Sequence, residues 1–249
     1  MKKVFLASAL LIVVTPQIQA QGWKDALNNV IKNNTGSGSG KGGSLNTLSN
    51  QDIVGALRQA LEIGAKNASS RLNTVNGFFG NALIKVLMPP EAQKVENTLR
   101  SLGFGNVVDK AILSMNRAAE DASGKAAPIF IDAIRNMNIQ DGINIVRGGN
   151  GAATTYLRNA TTNPLTVAFK PVIKTSLDKV NATAYWGDVM RIYNRLPTTR
   201  NQINPDLTAY VTERALNGLF VNIADEENKI RTNPAARVTD LLNKVFGAK

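Results

Sequence analysis

The 249-residue sequence contains no histidine and no cysteine. These two side chains carry much of the nucleophilic, acid–base and metal chemistry of proteins. Their absence excludes Ser-His-Asp and Cys-His catalytic arrangements, the usual zinc sites and any disulfide bond. Carboxylate chemistry, Ser–Lys pairs and oxygen-only metal sites remain, but the sequence contains no D-x-D-x-D-G calcium loop. We therefore expect no catalytic residue, cofactor or metal ligand.

The first twenty residues have the pattern of a cleavable export signal. Lys2 and Lys3 precede an apolar run over residues 4–14, which is too short to span a bilayer as a helix. We expect cleavage near Ala20 and export to the periplasm or cell envelope, the alternative being an uncleaved N-terminal anchor. Because no cysteine follows the run, the chain is not expected to be a lipoprotein. No later stretch is long and apolar enough to span a membrane.

A Gly/Ser-rich segment over residues 36–43 divides the rest of the sequence. We expect residues 21–48 to form a short helix followed by this flexible linker, and residues 49–247 to form a single domain. The linker has a superficial likeness to a phosphate-binding loop. Thr35 stands where the first glycine of that loop belongs, and Gly42 stands where a serine or threonine should bind magnesium. The nucleotide-binding interpretation therefore has little support.

Apolar residues from position 49 onward recur at i, i+3, i+4 and i+7, the spacing of amphipathic helices. This pattern predicts an all-α fold of about eight to ten helices, the first of them capped by Ser49 with Asp52. Residues 128–137 are apolar on nearly all sides and predict a central, buried helix. Residues 78–88 are compatible with a short extended hairpin or with a helix.

Polar residues within the predicted helices form the candidate site. Asp132 stands in the apolar segment 128–137, and a buried charge needs a partner. Arg135 is three residues away, and residues on other helices are further candidates. The resulting set is Asn116, Arg117, Glu120, Asp132, Arg237 and Asp240. Two interpretations stay open, an ion-pair network that fixes helix register and a ligand site.

Two glutamates have a functional interpretation, and charge pairs along a helix provide a structural one. Glu120 and Glu62 lie beside apolar helix faces, so either is a candidate acid/base for cell-wall chemistry. Glu120 is also spaced to pair with Arg117 along a helix. Glu227 with Arg231 has the i, i+4 spacing, as does Asp225 with Lys229, and this stretch is predicted to be a solvated face.

The sequence is basic, with a formal net charge of +11. Between residues 138 and 205, eight Lys/Arg stand against three Asp, and Tyr185, Trp186 and Tyr193 lie among them. A basic face with aromatic residues fits an anionic envelope polymer or a lipid head group. The alternative is that the basic residues solubilise the protein and the aromatic ones belong to the core. Nucleic acid is not an expected partner, because no recognition motif accompanies the charge.

Several motifs resemble those of a known family. They are SMNRAAE at 114–120, PIFIDAI at 128–134, GAAT at 151–154, YVT at 210–212 and PAARVTDLLNKVFG at 234–247. Together they resemble a bacterial family of exported helical proteins, domain of unknown function 4197, over about residues 49–247. The resemblance implies one helical domain at the cell envelope and no particular activity. Some members look like lipoproteins, from which this cysteine-free chain departs.

Two functional hypotheses follow from the sequence. The first is a non-catalytic periplasmic or cell-envelope protein that binds an anionic or amphipathic ligand, or a protein partner, through its basic central region. The alternative is a carboxylate-dependent hydrolase or lyase of cell-wall glycan that uses Glu120 or Glu62. The lack of histidine and cysteine favours the first.

Overall fold

The computed structural model describes residues 49–184, 186–187, 194 and 206–233. Within these ranges the chain forms seven α-helices and one short 3₁₀ helix, Pro90–Ala92, and no β-strand. The α-helices are α1 (Asn50–Leu72), α2 (Gln93–Ser101), α3 (Gly105–Ser123), α4 (Ala126–Arg135), α5 (Ile139–Arg147), α6 (Ala152–Asp178) and α7 (Leu207–Thr232). The predicted all-α fold is confirmed. The predicted signal, N-terminal helix and linker lie outside the described residues.

Side-chain caps start three of these helices. The Ser49 hydroxyl accepts a hydrogen bond from the backbone N–H of Asp52, whose carboxylate accepts one from the N–H of Ser49, so the predicted capping box is present. The Asp206 carboxylate accepts from the first turn of α7. At α5 the cap is Asn138, which accepts from the N–H of Asp141.

The core lies where α6 crosses α3, α4 and α7, with α1 packed against α4, α5 and α7. Four phenylalanines are fully buried there, Phe78, Phe130, Phe169 and Phe220. The rings of Phe130 and Phe220 meet edge-to-face with centroids 5.9 Å apart, a favourable arrangement for aromatic pairs. Helices α4 and α7 are therefore joined by one aromatic contact within a shared core.

The predicted helix at residues 128–137 is present, but it is not buried on all sides. Helix α4 ends at Arg135 and buries a single stripe, Ala126, Phe130 and Ile134. Asp132 is exposed, because it lies two residues from both Phe130 and Ile134, roughly 200° around the helix. Asp132 is therefore not the buried charge that its apolar neighbours indicate.

Helix α6 is one continuous element of 27 residues. It runs through Pro164 and Pro171, although each proline removes a backbone donor. The side chains of Leu165, Phe169 and Ile173 are fully buried along one face. This packing stabilises the helix across both prolines. No helix among the described residues is long and apolar enough to cross a membrane.

Candidate functional site

Residues 73–89 connect α1 to the 3₁₀ helix as a series of turns followed by a stretch without regular secondary structure, and form neither a hairpin nor a helix. Asn116 on α3 holds this second stretch. Its amide oxygen accepts a hydrogen bond from the N–H of Val86 at 2.9 Å, and its amide nitrogen donates to the carbonyl of Val86 at 2.8 Å. Asn116 is fully buried. Its side-chain amide thus forms the two backbone hydrogen bonds that a neighbouring strand would otherwise make with Val86.

Glu120, one turn further along α3, holds the turns. Its carboxylate accepts hydrogen bonds from the backbone N–H groups of Phe78 and Phe79, each at 3.1 Å. The other carboxylate oxygen accepts from Arg117, which also donates to the side chain of Asn76 at 2.9 Å. Glu120 is 4% exposed, and both of its oxygens have donors. Asn116, Arg117 and Glu120 therefore anchor residues 73–89 to α3.

The other predicted site residues do not join this cluster. Asp132 is on α4 and forms no ion pair with Arg135, which instead pairs with Glu62 on α1 at 3.1 Å. Arg237 and Asp240 lie outside the described residues. The structure thus brings together three of the predicted positions and places Asp132 elsewhere, on the surface.

A second buried network was missed by sequence reasoning. The predicted solvated face of α7 contains Glu227, which is 4% exposed. Its carboxylate accepts hydrogen bonds from the N–H groups of Ala153 and Thr154 at 3.2 and 2.9 Å, and from the Thr154 hydroxyl at 2.7 Å. Arg231 donates both to this carboxylate and to the carbonyl of Ile145, each at 2.9 Å. The Glu227–Arg231 pair is present, but it is buried.

Glu227 supplies the negative charge that the start of α6 requires. The cap position is Gly151, with φ +89°, and it provides no side-chain acceptor. A helix N-terminus has unpaired N–H groups and a partial positive charge, so a carboxylate is stabilised there. Burial alone would raise the pKa of Glu227, but the hydrogen bonds from Thr154, Ala153 and Arg231 outweigh it and lower the pKa.

Glu226 makes the equivalent link between α7 and α1. Its carboxylate accepts from Arg71 at 2.6 Å, from Lys229 at 2.8 Å and from the Asn67 amide at 3.3 Å. Burial opposes ionisation, but these hydrogen bonds prevail and lower the pKa of Glu226. The sequence did contain a signal for the Glu227 network: GGNG at 148–151 starts a helix without a side-chain cap, and such a helix needs an acceptor from elsewhere.

Two clefts adjoin at Tyr156 on the outer side of α6, with volumes of about 480 and 510 Å³. We call them together the Tyr156 trough. The first lies between α4 and α6 and the second between α5 and the start of α6. The lining residues are Pro128, Ile129, Asp132, Ala133, Asn136, Asp141, Asn144, Ile145, Gly149, Asn150, Gly151, Ala152, Thr155, Tyr156, Asn159, Ala160, Thr161 and Pro164.

The trough combines apolar walls with carboxylates and carboxamides, and no lysine or arginine is among the described residues that line it. Asp132 and Asp141 have no side-chain hydrogen bond or ion pair with the described part of the chain. The Tyr156 hydroxyl lies 3.5 Å from the carbonyl of Ala133. Burial raises the pKa of Tyr156, with a smaller contribution from the charge of Asp141, while Arg58 acts in the opposite direction.

The predicted basic surface is only partly described. Arg158 lies 4.3 Å from the centre of the Phe220 ring and is therefore used in packing. Lys174 pairs with Asp178 at 2.5 Å, and Lys170 lies 3.8 Å from Asp206. Trp186 is buried and belongs to the core. Arg147 and Lys179 are exposed, and the remaining residues, Tyr185, Arg191, Tyr193, Arg195 and Arg200, lie outside the described residues.

No group of acidic side chains within the described ranges is arranged to hold a metal ion. The fold and its networks define an all-α domain in which buried carboxylates link helices to one another and to a loop. The chain belongs to the family described as "Protein of unknown function (DUF4197)", which it matches over residues 47–247. The family resemblance found in the motifs is thereby confirmed. No curated protein and no solved structure matches the chain.

Proposed function

We propose that this protein is a non-catalytic binding module of the cell envelope and that the Tyr156 trough is its ligand site. The observation that carries the proposal is the contrast between two sets of carboxylates. Glu62, Glu120 and Glu227 each have an arginine partner. Asp132 and Asp141 line the trough and have no partner among the described residues. Of these five carboxylates, only the two in the trough are available to a ligand.

The hydrolase alternative has less support. A general acid or base must reach the substrate proton, directly or through one water molecule. Glu120 lines neither cleft of the trough, and its carboxylate is occupied by Arg117 and by two backbone N–H groups. Glu62 is paired with Arg135 on the surface. Neither carboxylate has the open, unpaired environment that this chemistry needs.

The apolar walls of the trough support an amphipathic ligand more than an anionic one. Ile129, Ala133, Ala160 and Pro164 supply apolar surface, while the two aspartates repel a negative group. An envelope location rests on the N-terminal pattern of Lys2 and Lys3 followed by an apolar run, and remains part of the proposal.

The test is to block the trough without disturbing the core. Ala160 is exposed on α6 and lines the trough, so Ala160→Trp fills the site while the helix is retained. Thr162→Trp is the matched control, because Thr162 is exposed on α6, roughly 200° around from Ala160. Binding to peptidoglycan fragments, lipopolysaccharide, anionic vesicles and cationic peptide is measured by calorimetry. We expect Ala160→Trp, and not Thr162→Trp, to weaken binding at least about tenfold, since a buried ligand loses its apolar contacts.

Two results would contradict the proposal. One is that none of these ligands binds, or that Ala160→Trp binds as well as the unmodified protein. The other is release of soluble fragments from purified peptidoglycan that is abolished by Glu120→Gln or Glu62→Gln. That outcome would support the hydrolase instead.

A further inference from the structure

We infer that the ligand of the Tyr156 trough is a cationic peptide segment, an extended stretch of polypeptide that carries lysine or arginine side chains. The inference rests on the proposed function, because it names the ligand class for the same site. It also reverses the sign of the ligand charge that the basic composition of the chain favoured.

The first step is the local charge of the trough. The chain as a whole has a formal net charge of +11, yet the described lining contains two aspartates and no basic residue. Opposite charges attract and like charges repel, so such a lining favours a positive ligand. Arg135, three residues after Asp132 on α4, pairs with Glu62 and not with Asp132. The carboxylate of Asp132 is therefore available to a ligand cation.

The second step is the separation of the two aspartates. Asp132 on α4 lines one cleft and Asp141 on α5 lines the other, and Tyr156 on α6 belongs to both. A ligand that uses both carboxylates must pass Tyr156 and occupy both clefts. This requirement favours a chain molecule with positive charges at intervals over a single small cation. The aromatic ring at the junction also attracts a cation that crosses it.

The third step is the chemistry between the charges. Asn136, Asn144, Asn150 and Asn159 line the trough, and each carboxamide offers both donors and an acceptor. A peptide main chain presents the same two kinds of group at every residue. The apolar walls match the aliphatic stems of lysine and arginine side chains, which bury their methylenes while the charged ends stay near water. A neutral glycan also pairs with carboxamides, but it leaves both aspartates without a cation.

The experiment compares three probes on the purified protein by isothermal titration calorimetry. They are a capped hexapeptide of alternating alanine and lysine, the same peptide with glutamate in place of lysine, and a neutral chitin hexasaccharide. We expect the lysine peptide to bind at least about tenfold more tightly than either other probe, and its affinity to fall as salt is raised.

The double variant Asp132→Asn, Asp141→Asn tests the residues. It removes two charge pairs, so affinity for the lysine peptide should fall about tenfold or more. The matched control is Glu213→Gln, Asp225→Asn, which changes the net charge equally at two exposed positions of α7 that do not line the trough. The control should bind as the unmodified protein does. Circular dichroism and thermal melting establish that both variants are folded.

The outcomes distinguish failure of the cationic-peptide inference from failure of the proposed function. If the glycan or the glutamate peptide binds best and Ala160→Trp abolishes that binding, the trough is a ligand site and the cationic inference is overturned. If the lysine peptide binds but the double variant does not weaken it, the inference is likewise overturned. If no probe binds and the wider ligand panel is also negative, the proposed function fails with it.

Discussion

Glu227 connects three parts of the described fold through one side chain. Its carboxylate accepts hydrogen bonds from α6, pairs with Arg231 on its own helix, and through Arg231 is linked to the end of α5. All of these donors favour the ionised form, and they prevail over burial to lower the pKa. Hydrogen bonds to a charged, buried group are worth more than neutral ones. Glu227 should accordingly be one of the positions most sensitive to loss of charge.

We therefore predict that Glu227→Gln lowers the free energy of unfolding by about 2 kcal/mol at pH 7. Because the pKa of Glu227 is lowered in the folded protein, its contribution is complete above the ordinary glutamate value and disappears as pH falls through the folded value. The difference between the variant and the unmodified protein should consequently shrink below about pH 4.5. Urea unfolding at pH 7 and pH 3.5 measures it.

Glu213→Gln is the control for this prediction. Glu213 is exposed on the same helix, so its change should stay within about 0.5 kcal/mol. Equal destabilisation by Glu227→Gln at both pH values would show that the carboxylate contributes through shape and not through charge.

Sequence reasoning at the level of single residues identified the pair Arg117–Glu120, because both residues lie on α3 three positions apart. It did not identify the loop residues that Asn116 and Glu120 hold, since these are distant in sequence. It failed for Asp132, because the apolar character of neighbouring residues does not tell which way one side chain points. It also failed for Glu227, since an i, i+4 charge pair has the same spacing on the surface and in the interior. Lys229, the predicted partner of Asp225, pairs instead with the buried Glu226.

At the level of elements, residues 73–89 depend on side chains from other elements. Val86 forms both of its backbone hydrogen bonds with Asn116, and Phe78 and Phe79 donate to Glu120. Tyr210 on α7 donates to the carbonyl of Leu87 at 2.9 Å. Residues 73–89 form no ladder of backbone hydrogen bonds among themselves. This explains why the sequence was compatible with both a hairpin and a helix and decided for neither.

We predict that Asn116→Ala destabilises the protein by about 2–3 kcal/mol, because it leaves the buried N–H and carbonyl of Val86 without partners. Amide hydrogen exchange should become faster at Val86 well before it changes in α6. Asn97→Ala, at an exposed position of α2, serves as the control and should leave exchange at Val86 unchanged. If exchange at Val86 is the same in Asn116→Ala, the amide of Asn116 does not hold this segment.

Two glycines, Gly142 on α5 and Gly55 on α1, give opposite predictions for the effect of alanine on stability. A Cβ at Gly142 on α5 would lie 2.6 Å from a methyl carbon of Val54, so Gly142→Ala overpacks the contact and should cost about 1–3 kcal/mol. Nothing lies within 4 Å of the corresponding position at Gly55 on α1. Gly55→Ala should therefore stabilise the protein by about 0.5–1 kcal/mol through helix propensity. Thermal melting of both variants checks the signs, and a stabilised Gly142→Ala would refute the close approach of the two helices.

For the molecule as a whole, helical periodicity was enough to predict the fold class but not the arrangement of the helices. The spacing of apolar residues identifies which face of a helix is buried, and this held for α1, where the apolar residues at this spacing are buried from Ala56 to Ala68. It carries no information on which helix covers that face. The Tyr156 trough is formed by α4, α5 and α6 together, so no single stretch of sequence revealed it.

The net charge of +11 leads to a prediction about salt that applies to the entire protein. An excess of like charge destabilises the compact state through self-repulsion, and salt screens this repulsion. Exposed pairs such as Lys174–Asp178 and Arg100–Asp109 are weakened by the same screening, but each contributes little. The buried pair Glu227–Arg231 is screened much less.

We therefore expect the melting temperature to rise by a few degrees between 20 and 500 mM sodium chloride. Glu227→Gln should show the same rise from a lower starting temperature. A melting temperature that falls with salt would mean that surface ion pairs outweigh the repulsion.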